Sequence, residues 1–543
     1  MKKYLILSAI FFLNTITPAA QNGAVHLNSL GFLPQLKKTA TITKVCSEFN
    51  LIDETGKIVF SGKTTGPEYQ KDVDQNVWHA DFSSFTKPGE YMLKVPGVGQ
   101  SVRFKIADDI FNFAAQASMR AFYLWRCGMA VDGDFNGIHY HQNACHLQDG
   151  FENYISKKGT QRDGTGGWHD AGDYGKYVVN AGVSLGVLFM AWDHFQAKIE
   201  KINLNIPETA PGLPDFLKEL KWETDWVLKM QYPEGSGKVS HKLTRTNFSA
   251  FIMPDKDKEK RYFTEWSSAA TADFVAIMAM ASRYFQPYDT EYAKKCLDAA
   301  WVSYRFLLKN TEHKRFEQGD FQTGGYQTND VDDRLWAAAE MWETTGDPSC
   351  LKDFENRAAE MDFKIEENWD WGSVSNLGMF TYALSKRKEK NADTEQSIKS
   401  NIIANADALV KKAGVDVYSR PLGGRYYWGC NGTVARQTVN LQVANKIQQK
   451  KEYIETALSA VDHIFGNNFY NRSYVTGLGI DPPMHPHDRR SGADNIDEPW
   501  PGYIVGGGHS ATDWVDKQES YSHNEIAINW QAALVYAMMG FVN

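Results

Sequence analysis

Cysteine is scarce, with six in 543 residues. That density excludes a disulfide framework and leaves the thiols for other uses. A basic surface is also missing. The net charge is −8, spread along the chain without a lysine- or arginine-rich run, which argues against nucleic acid as a partner. Long apolar runs are rare. Tyr4 to Leu13 is apolar, follows Lys2-Lys3 and precedes Ala19 and Ala20. It is too short to span a bilayer and reads as a signal peptide over 1–21, cleaved close to Ala20. No later segment is expected to be long enough to cross a membrane, and no cysteine near the cleavage region offers a site for a lipid. The mature protein is expected to be exported, either periplasmic or secreted. No clean internal repeat shows.

What is present is a chain long enough for a large core plus a smaller module. Hydrophobic residues make up 43% and mean hydropathy is −0.46, as in a globular protein. The 16 Trp and 25 Tyr offer faces that suit sugar rings. Aromatics also fill large cores, so they decide nothing alone. From about Ala24 to Ile106 the chain reads as all-β: Tyr91, Leu93 and Val95 alternate, as do Val102, Phe104 and Ile106. Turn signals at Asp53-Glu54-Thr55-Gly56 and Lys87-Pro88-Gly89 complete the pattern of roughly seven short strands, a sandwich. From Phe111 onward helical stripes take over, among them Thr271-Phe274-Met278-Ala281-Phe285 and Ile526-Trp530-Ala533-Ala537-Phe541. Many amphipathic helices and few strands give an α/α architecture. The expected division is 22–107 for the β module and 108–543 for the helical one.

The chemistry concentrates in Gly167-Trp168-His169-Asp170-Ala171-Gly172-Asp173-Tyr174-Gly175-Lys176-Tyr177. Asp170 and Asp173 are separated only by Ala and Gly, so substrate or water can come close to the backbone. Val178, Ala181, Leu185, Leu188 and Trp192 follow at helical spacing, which places the pair on a loop feeding a helix. Paired carboxylates suit water-activating hydrolysis; a capping or metal-binding turn is the alternative. Cys127, Cys145 and His146 stand just upstream, whereas Cys296, Cys350 and Cys430 are isolated.

These segments, with Asp332-Asp333-Arg334-Leu335-Trp336, Tyr427-Trp428-Gly429-Cys430-Asn431, His487-Asp488-Arg489 and Tyr521-Ser522-His523-Asn524-Glu525, resemble glycoside hydrolase family nine, the inverting cellulases, in family order. The resemblance implies a mainly α fold: a six-hairpin α/α barrel catalytic domain preceded by a small all-β immunoglobulin-like sandwich. It implies Asp173 as general base, Asp170 as holder of the attacking water and Glu525 as general acid. An inverting hydrolase sets its two carboxyl groups about 6.5–9.5 Å apart. Glu525 is expected to open a helix, which would lower its pKa and sit badly with an acid's role. His241, Tyr326, Trp428, His487, Arg489 and Tyr521 are implied to contact sugar.

The resemblance also implies metals. Cys127, Cys145 and His146 match a structural zinc site, with His169 as fourth ligand and His139 and His141 as alternatives. A calcium site is implied at Asp332, Asp333 and Asp370, with backbone oxygens near Thr328 and Asn329. Two loops depart from the family pattern, Gly506-Gly507-Gly508-His509 and His487-Asp488-Arg489. The implied activity is endo-acting hydrolysis of soluble or amorphous β-1,4-glucan. The alternatives are xyloglucan or mixed-linkage glucan, exo-acting glucosidase or glucosaminidase action, and a non-catalytic glycan-binding protein.

Overall fold

A computed structural model describes residues 23–156 and 159–543; the expected signal peptide lies outside them. Ten short strands between Val25 and Ile106, rather than about seven, form two facing sheets. One orders Val25–His26, Thr39–Ile42, Gln75–Asp81 and Thr65–Gln70. The other orders Gly31–Phe32, Phe104–Ile106, Gly89–Val95, Glu48–Asp53 and Ile58–Lys63, with Gly99–Gln100 beside the third of these. Tyr91, Leu93 and Val95 all point inward, as their alternation predicts. Phe32, Phe82 and Phe104 pack edge-on and tilted at the centre of a core separate from that of the helical part.

The helices come in pairs. They are α1 (Asn112–Leu124) and α2 (Val178–Ile199), α3 (Asp215–Met230) and α4 (Ser268–Phe285), α5 (Thr290–Lys309) and α6 (Val331–Thr345). Then follow α7 (Pro348–Glu360) and α8 (Ser375–Leu384), α9 (Ala392–Val415) and α10 (Cys430–Ile447), and α11 (Lys451–Ile464) with α13 (Ile528–Met539). A single turn, α12 (Tyr521–Asn524), lies between the last two. The second members close a ring, α2–α4–α6–α8–α10–α13 and back to α2, and the first members pack outside it. This is the six-hairpin α/α barrel.

The sequence distinguishes the two layers. Outer helices such as α5, α7 and α9 carry a polar face, and these three begin with side-chain caps: Asp289 accepts from Tyr292 N, Asp347 from Ser349 N, and Asn391 from Asp393 N and Thr394 N. Inner helices are buried on every side, as α13 is from Ile528 to Met539. The same property corrects the expectation about membrane spans. The 22-residue α2 is long and apolar enough to cross a bilayer, yet its residues from Val178 to Trp192 are buried in the barrel core.

The sandwich docks against the barrel through polar contacts. Asn28 Nδ2 donates to Asp462 Oδ1 at 2.8 Å and Ser29 Oγ to the Phe465 carbonyl at 2.6 Å. Val73 and Val77 share a small apolar cluster with Val417, Tyr418 and Ala511.

Candidate active site

The carboxylate loop is gripped at both ends. Arg126 bridges Trp168 before it, and Lys176–Tyr177 pairs with Lys242–Thr244 after it, so α2 starts from a fixed point. Gly172 has no alternative residue, because a Cβ there would strike the His487 carbonyl. Asp170 is buried. Its Oδ1 accepts from Asn180 Nδ2 at 2.8 Å and its Oδ2 from the Tyr326 hydroxyl at 2.5 Å. Asp173 Oδ2 accepts from Gly175 N at 2.9 Å and from the Tyr177 hydroxyl at 3.0 Å. Burial, and then the charge of Asp173, push the Asp170 carboxyl up to about 8 against the pull of Tyr326 and Asn180.

Glu525 comes from the other end of the chain and is sewn to the same loop. Ile528 N donates to the Asp170 carbonyl at 2.9 Å, His487 N to the Asn524 carbonyl at 2.8 Å and Arg489 N to the Gly172 carbonyl at 3.2 Å. Ala171 pairs with Ala527, and His487 with Glu525. Glu525 does not open a helix. It follows the last residue of α12 with extended backbone (φ −73°, ψ 156°), and α13 begins only at Ile528. The expected helix-dipole penalty on an acid is therefore absent. Burial, then the charges of Asp173 and Asp170, hold its carboxyl well above the ordinary value, opposed by Arg489 and the Gly172 N–H. A carboxyl group with a raised pKa beside further carboxyl groups is what acid–base hydrolysis requires.

The aromatic residues form a rim. Tyr326 packs on Tyr177 and Trp371, with ring centroids 4.9 and 5.1 Å apart. Its φ is +43°, a left-handed conformation costing a tyrosine on the order of 1–3 kcal/mol, and the bond to Asp170 helps hold it. Trp428 and Tyr521 are exposed and meet edge-on at 5.5 Å, and Tyr521 lies 6.0 Å from the His487 ring. Arg489 is buried, donating from Nη1 to the Gly172 carbonyl at 2.7 Å and from Nε to the Ser249 carbonyl at 2.9 Å. His241 is placed differently from the sequence expectation. It is 1% exposed, with Nδ1 2.8 Å from Ser267 Oγ and Nε2 2.7 Å from the Gly325 carbonyl. Both nitrogens are engaged by protein, so it braces the residue next to Tyr326.

Sequence reasoning missed several neighbours. Tyr177 and Asn180 hold the two aspartates, at positions a helical register from Asp173 and Asp170 could have suggested. Phe248 and Phe251 are exposed beneath the Arg489 guanidinium, at 5.4 and 5.5 Å. Their loop has no periodicity to flag them.

Behind the carboxylate loop, Cys127, Cys145, His146 and His169 each bring a ligand atom within 4.8 Å of the others. His169 thus joins the three expected residues, and His139 and His141 do not. Burial lowers the His169 pKa to about 4, leaving its lone pair free. Burial opposes ionisation of the Cys127 thiol, but the Cys145 hydrogen bond and the charges of Lys176, His169 and His146 outweigh it, and its pKa falls well below the ordinary value. Two free cysteines and two imidazoles fit a tetrahedral zinc. The Asp257 carboxylate, 3.5 Å from His146 Nε2, fits the outer partner such a ligand takes.

The expected calcium trio is not gathered. Asp332 Oδ2 accepts from Val374 N at 2.6 Å, Asp333 is buried against Asp273, and Asp370 binds Arg436 and Asn529. Adjacent residues on a helix point about 100° apart, so Asp332 and Asp333 cannot face one ion easily. The described residues hold no metal-ligand cluster that contains them.

Residues 111–538 match the model of glycosyl hydrolase family 9. The chain belongs to that family. Residues 20–100 match the cellulase N-terminal Ig-like domain. Among family 9 relatives, Endoglucanase D of Acetivibrio thermocellus is 56% identical, covering 96% of this chain and 83% of its own. A xyloglucan-specific endo-beta-1,4-glucanase of Bacteroides ovatus is 33% identical over 96% of this chain and 94% of its own. A solved Zn-binding triple mutant of the family 9 endoglucanase J30 superposes with a TM-score of 0.88, at 30% identity, over 94% of this chain and 99% of that one.

Proposed function

We propose that this family 9 chain is an inverting, endo-acting β-1,4-glucan hydrolase acting on soluble or amorphous plant β-glucans. In this reading Asp173 accepts the proton of the attacking water, Asp170 holds that water, and Glu525 protonates the leaving oxygen. The observation that carries it is the seam of backbone hydrogen bonds that fixes Glu525, its carboxyl held well above the ordinary value, to the Asp170–Asp173 loop. The 56% identity with an endoglucanase supports the substrate class. Arg489, His487, Tyr326, Trp428 and Tyr521 would line the sugar path. Export belongs to the same reading, since a polymeric glucan is met outside the cell. The sandwich would occupy 22–107 and the barrel 108–543.

The test is the configuration of the first product. Proton NMR during hydrolysis of a β-linked cello-oligosaccharide should show the α-anomer first, because water attacks without a covalent intermediate. A β-configured first product would remove the inverting mechanism. A second reading, action on xyloglucan, is favoured by the Bacteroides ovatus relative and by the departing loop at Gly506–His509. Product profiles on xyloglucan, mixed-linkage glucan and cello-oligosaccharides separate the two.

Two further outcomes follow from the surroundings. Glu525 acts as an acid only while protonated, so the alkaline limb of the pH–rate profile should report its raised pKa. The Arg489 charge lowers that pKa. Arg489→Met should therefore move the alkaline limb to higher pH, along with weaker substrate binding. A limb that stays in place or moves down would separate Arg489 from Glu525.

The cysteine–histidine cluster is assigned a structural zinc, which when bound supplies a closed tetrahedral cross-link. Cys127 and Cys145 would bind as thiolates and His146 and His169 as neutral imidazoles, with His169 fixed one residue before Asp170. Elemental analysis should find zinc at this site. Cys145→Ser should lower the melting temperature by about 2–5 °C, a few kcal/mol for a domain of this size, while leaving most of the turnover at low temperature. An unchanged melting temperature would remove zinc from this account.

A further inference from the structure

His139 and His141 lie away from the buried cluster, and the reason is their strand. Val131–Phe135 and Ile138–Gln142 form an antiparallel hairpin in which Asp132 faces His141 and Asp134 faces His139. Val131, Gly133, Tyr140 and Gln142 are buried, so Asp132, Asp134, His139 and His141 all project from the outer face. Cross-strand neighbours on one face stand about 4.5–5.5 Å apart at Cβ. Their ligand atoms come closer still. His141 Nδ1 lies 2.7 Å and His139 Nε2 3.6 Å from Asp132 Oδ1, and one atom from each of the three falls within 4.8 Å of the other two.

We propose that this outer hairpin face is a second, separate metal site, taking a borderline divalent transition ion such as Zn²⁺, Ni²⁺ or Cu²⁺ through Asp132, His139 and His141. Three arguments support the chemistry. Two imidazoles with one carboxylate select such ions over Ca²⁺ or Mg²⁺, which prefer an all-oxygen shell. Metal bonds of about 2.0–2.2 Å set ligand atoms roughly 3.3–3.6 Å apart, which the Asp132–His139 separation already meets. Asp134 Oδ1, 2.8 Å from His139 Nδ1, is the outer carboxylate that orients a ligating histidine and leaves Nε2 aimed at the ion. Binding would replace the Asp132–His141 hydrogen bond with two bonds to the same ion; Nδ1 of His141 gives up its proton and Nε2 carries the one that keeps the ring neutral, facing Asn143 Oδ1.

The site differs in kind from the buried one. All three ligands are exposed, there is no thiolate, and at least one coordination position is left to water. Exchange should be fast and affinity micromolar. The ion would tie both strands of a hairpin that runs on through Asn143 to Cys145 and His146.

The experiment is a titration of tag-free full-length protein, loaded at its tight site, with ZnCl₂ in a calorimeter. Wild type should take up one more equivalent per chain than His139→Ala/His141→Ala, and Asp132→Asn should bind that equivalent about tenfold more weakly or worse. Cobalt(II) gives an independent signature. The added equivalent should bring nitrogen–oxygen d–d bands without sulfur charge transfer, and those bands should vanish in the double variant. Equal uptake by wild type and the double variant would overturn the proposal. So would an added equivalent that carries sulfur charge transfer. Because the comparison is a difference between two exposed-site variants, it holds whatever fills the cysteine cluster.

Discussion

Asp173→Asn should abolish hydrolysis of β-glucan, with a loss of about 10²–10⁴-fold or more, the range a general base contributes. The amide keeps its shape and can still accept from Gly175 N and Tyr177, but it cannot take the proton of water. Asp170→Asn should be milder. Burial and Asp173 already push the Asp170 carboxyl up to about 8, so its neutral form is the usual one near neutrality, and an amide imitates that form. The geometry adds a control. Both Asp170 oxygens have donors, Asn180 and Tyr326, and only the Tyr326 hydroxyl is removable without touching the core. Tyr326→Phe should lower kcat less than Asp173→Asn. The check is kcat on a soluble glucan for all three variants, followed by azide rescue. Azide should restore Asp173→Asn alone, yielding a glycosyl azide of inverted configuration. Equal losses in Asp170→Asn and Asp173→Asn would undo the division of labour between the two carboxyl groups.

Glu525→Gln should be as severe on natural glucan, again about 10²–10⁴-fold, and selective in a telling way. Protonation of the leaving oxygen is the step it removes. Substrates with a leaving group that needs no proton, such as dinitrophenyl cellobioside, should keep much of their rate, while cellulose-derived oligosaccharides lose theirs. The alkaline limb should disappear together with the raised carboxyl pKa that produces it. Polysaccharide cleavage near the wild-type rate in this variant would mean the acid lies elsewhere.

Much of this was legible in the sequence because short-range chemistry carried it. The apolar period after Tyr177 announces a rigid helix behind the loop, and α2 is that helix; the loop itself is buried, and the small Gly172 makes room for the His487 carbonyl. The alternating Tyr91-Leu93-Val95 likewise fixes a strand and its inward face. What escaped was set at long range. The spacing of Ile526, Trp530 and Ala533 runs unbroken through the end of the chain, so Glu525 looks like a helix start. Backbone pairing of Ala527 with Ala171, of Glu525 with His487 and of Ile526 with Val505 pulls the segment straight. The partners that hold His241, Ser267 and Gly325, are distant in sequence and could not be read beside it. Asp332 and Asp333 read as a paired ligand set, although the 100° step between adjacent helix residues sends them to different neighbours.

The closure of the ring has a consequence in time. α13 is the wedge between α10 and α2, and Glu525 enters just ahead of it. A growing chain therefore carries Asp170 and Asp173 for more than three hundred residues before their counterpart is synthesised. Until α13 seats, the nascent polypeptide holds half of the proposed reaction centre and an open barrel. Catalytic competence in this reading thus waits for a stretch synthesised long after the first two carboxylates, which makes activity a readout of a closed ring.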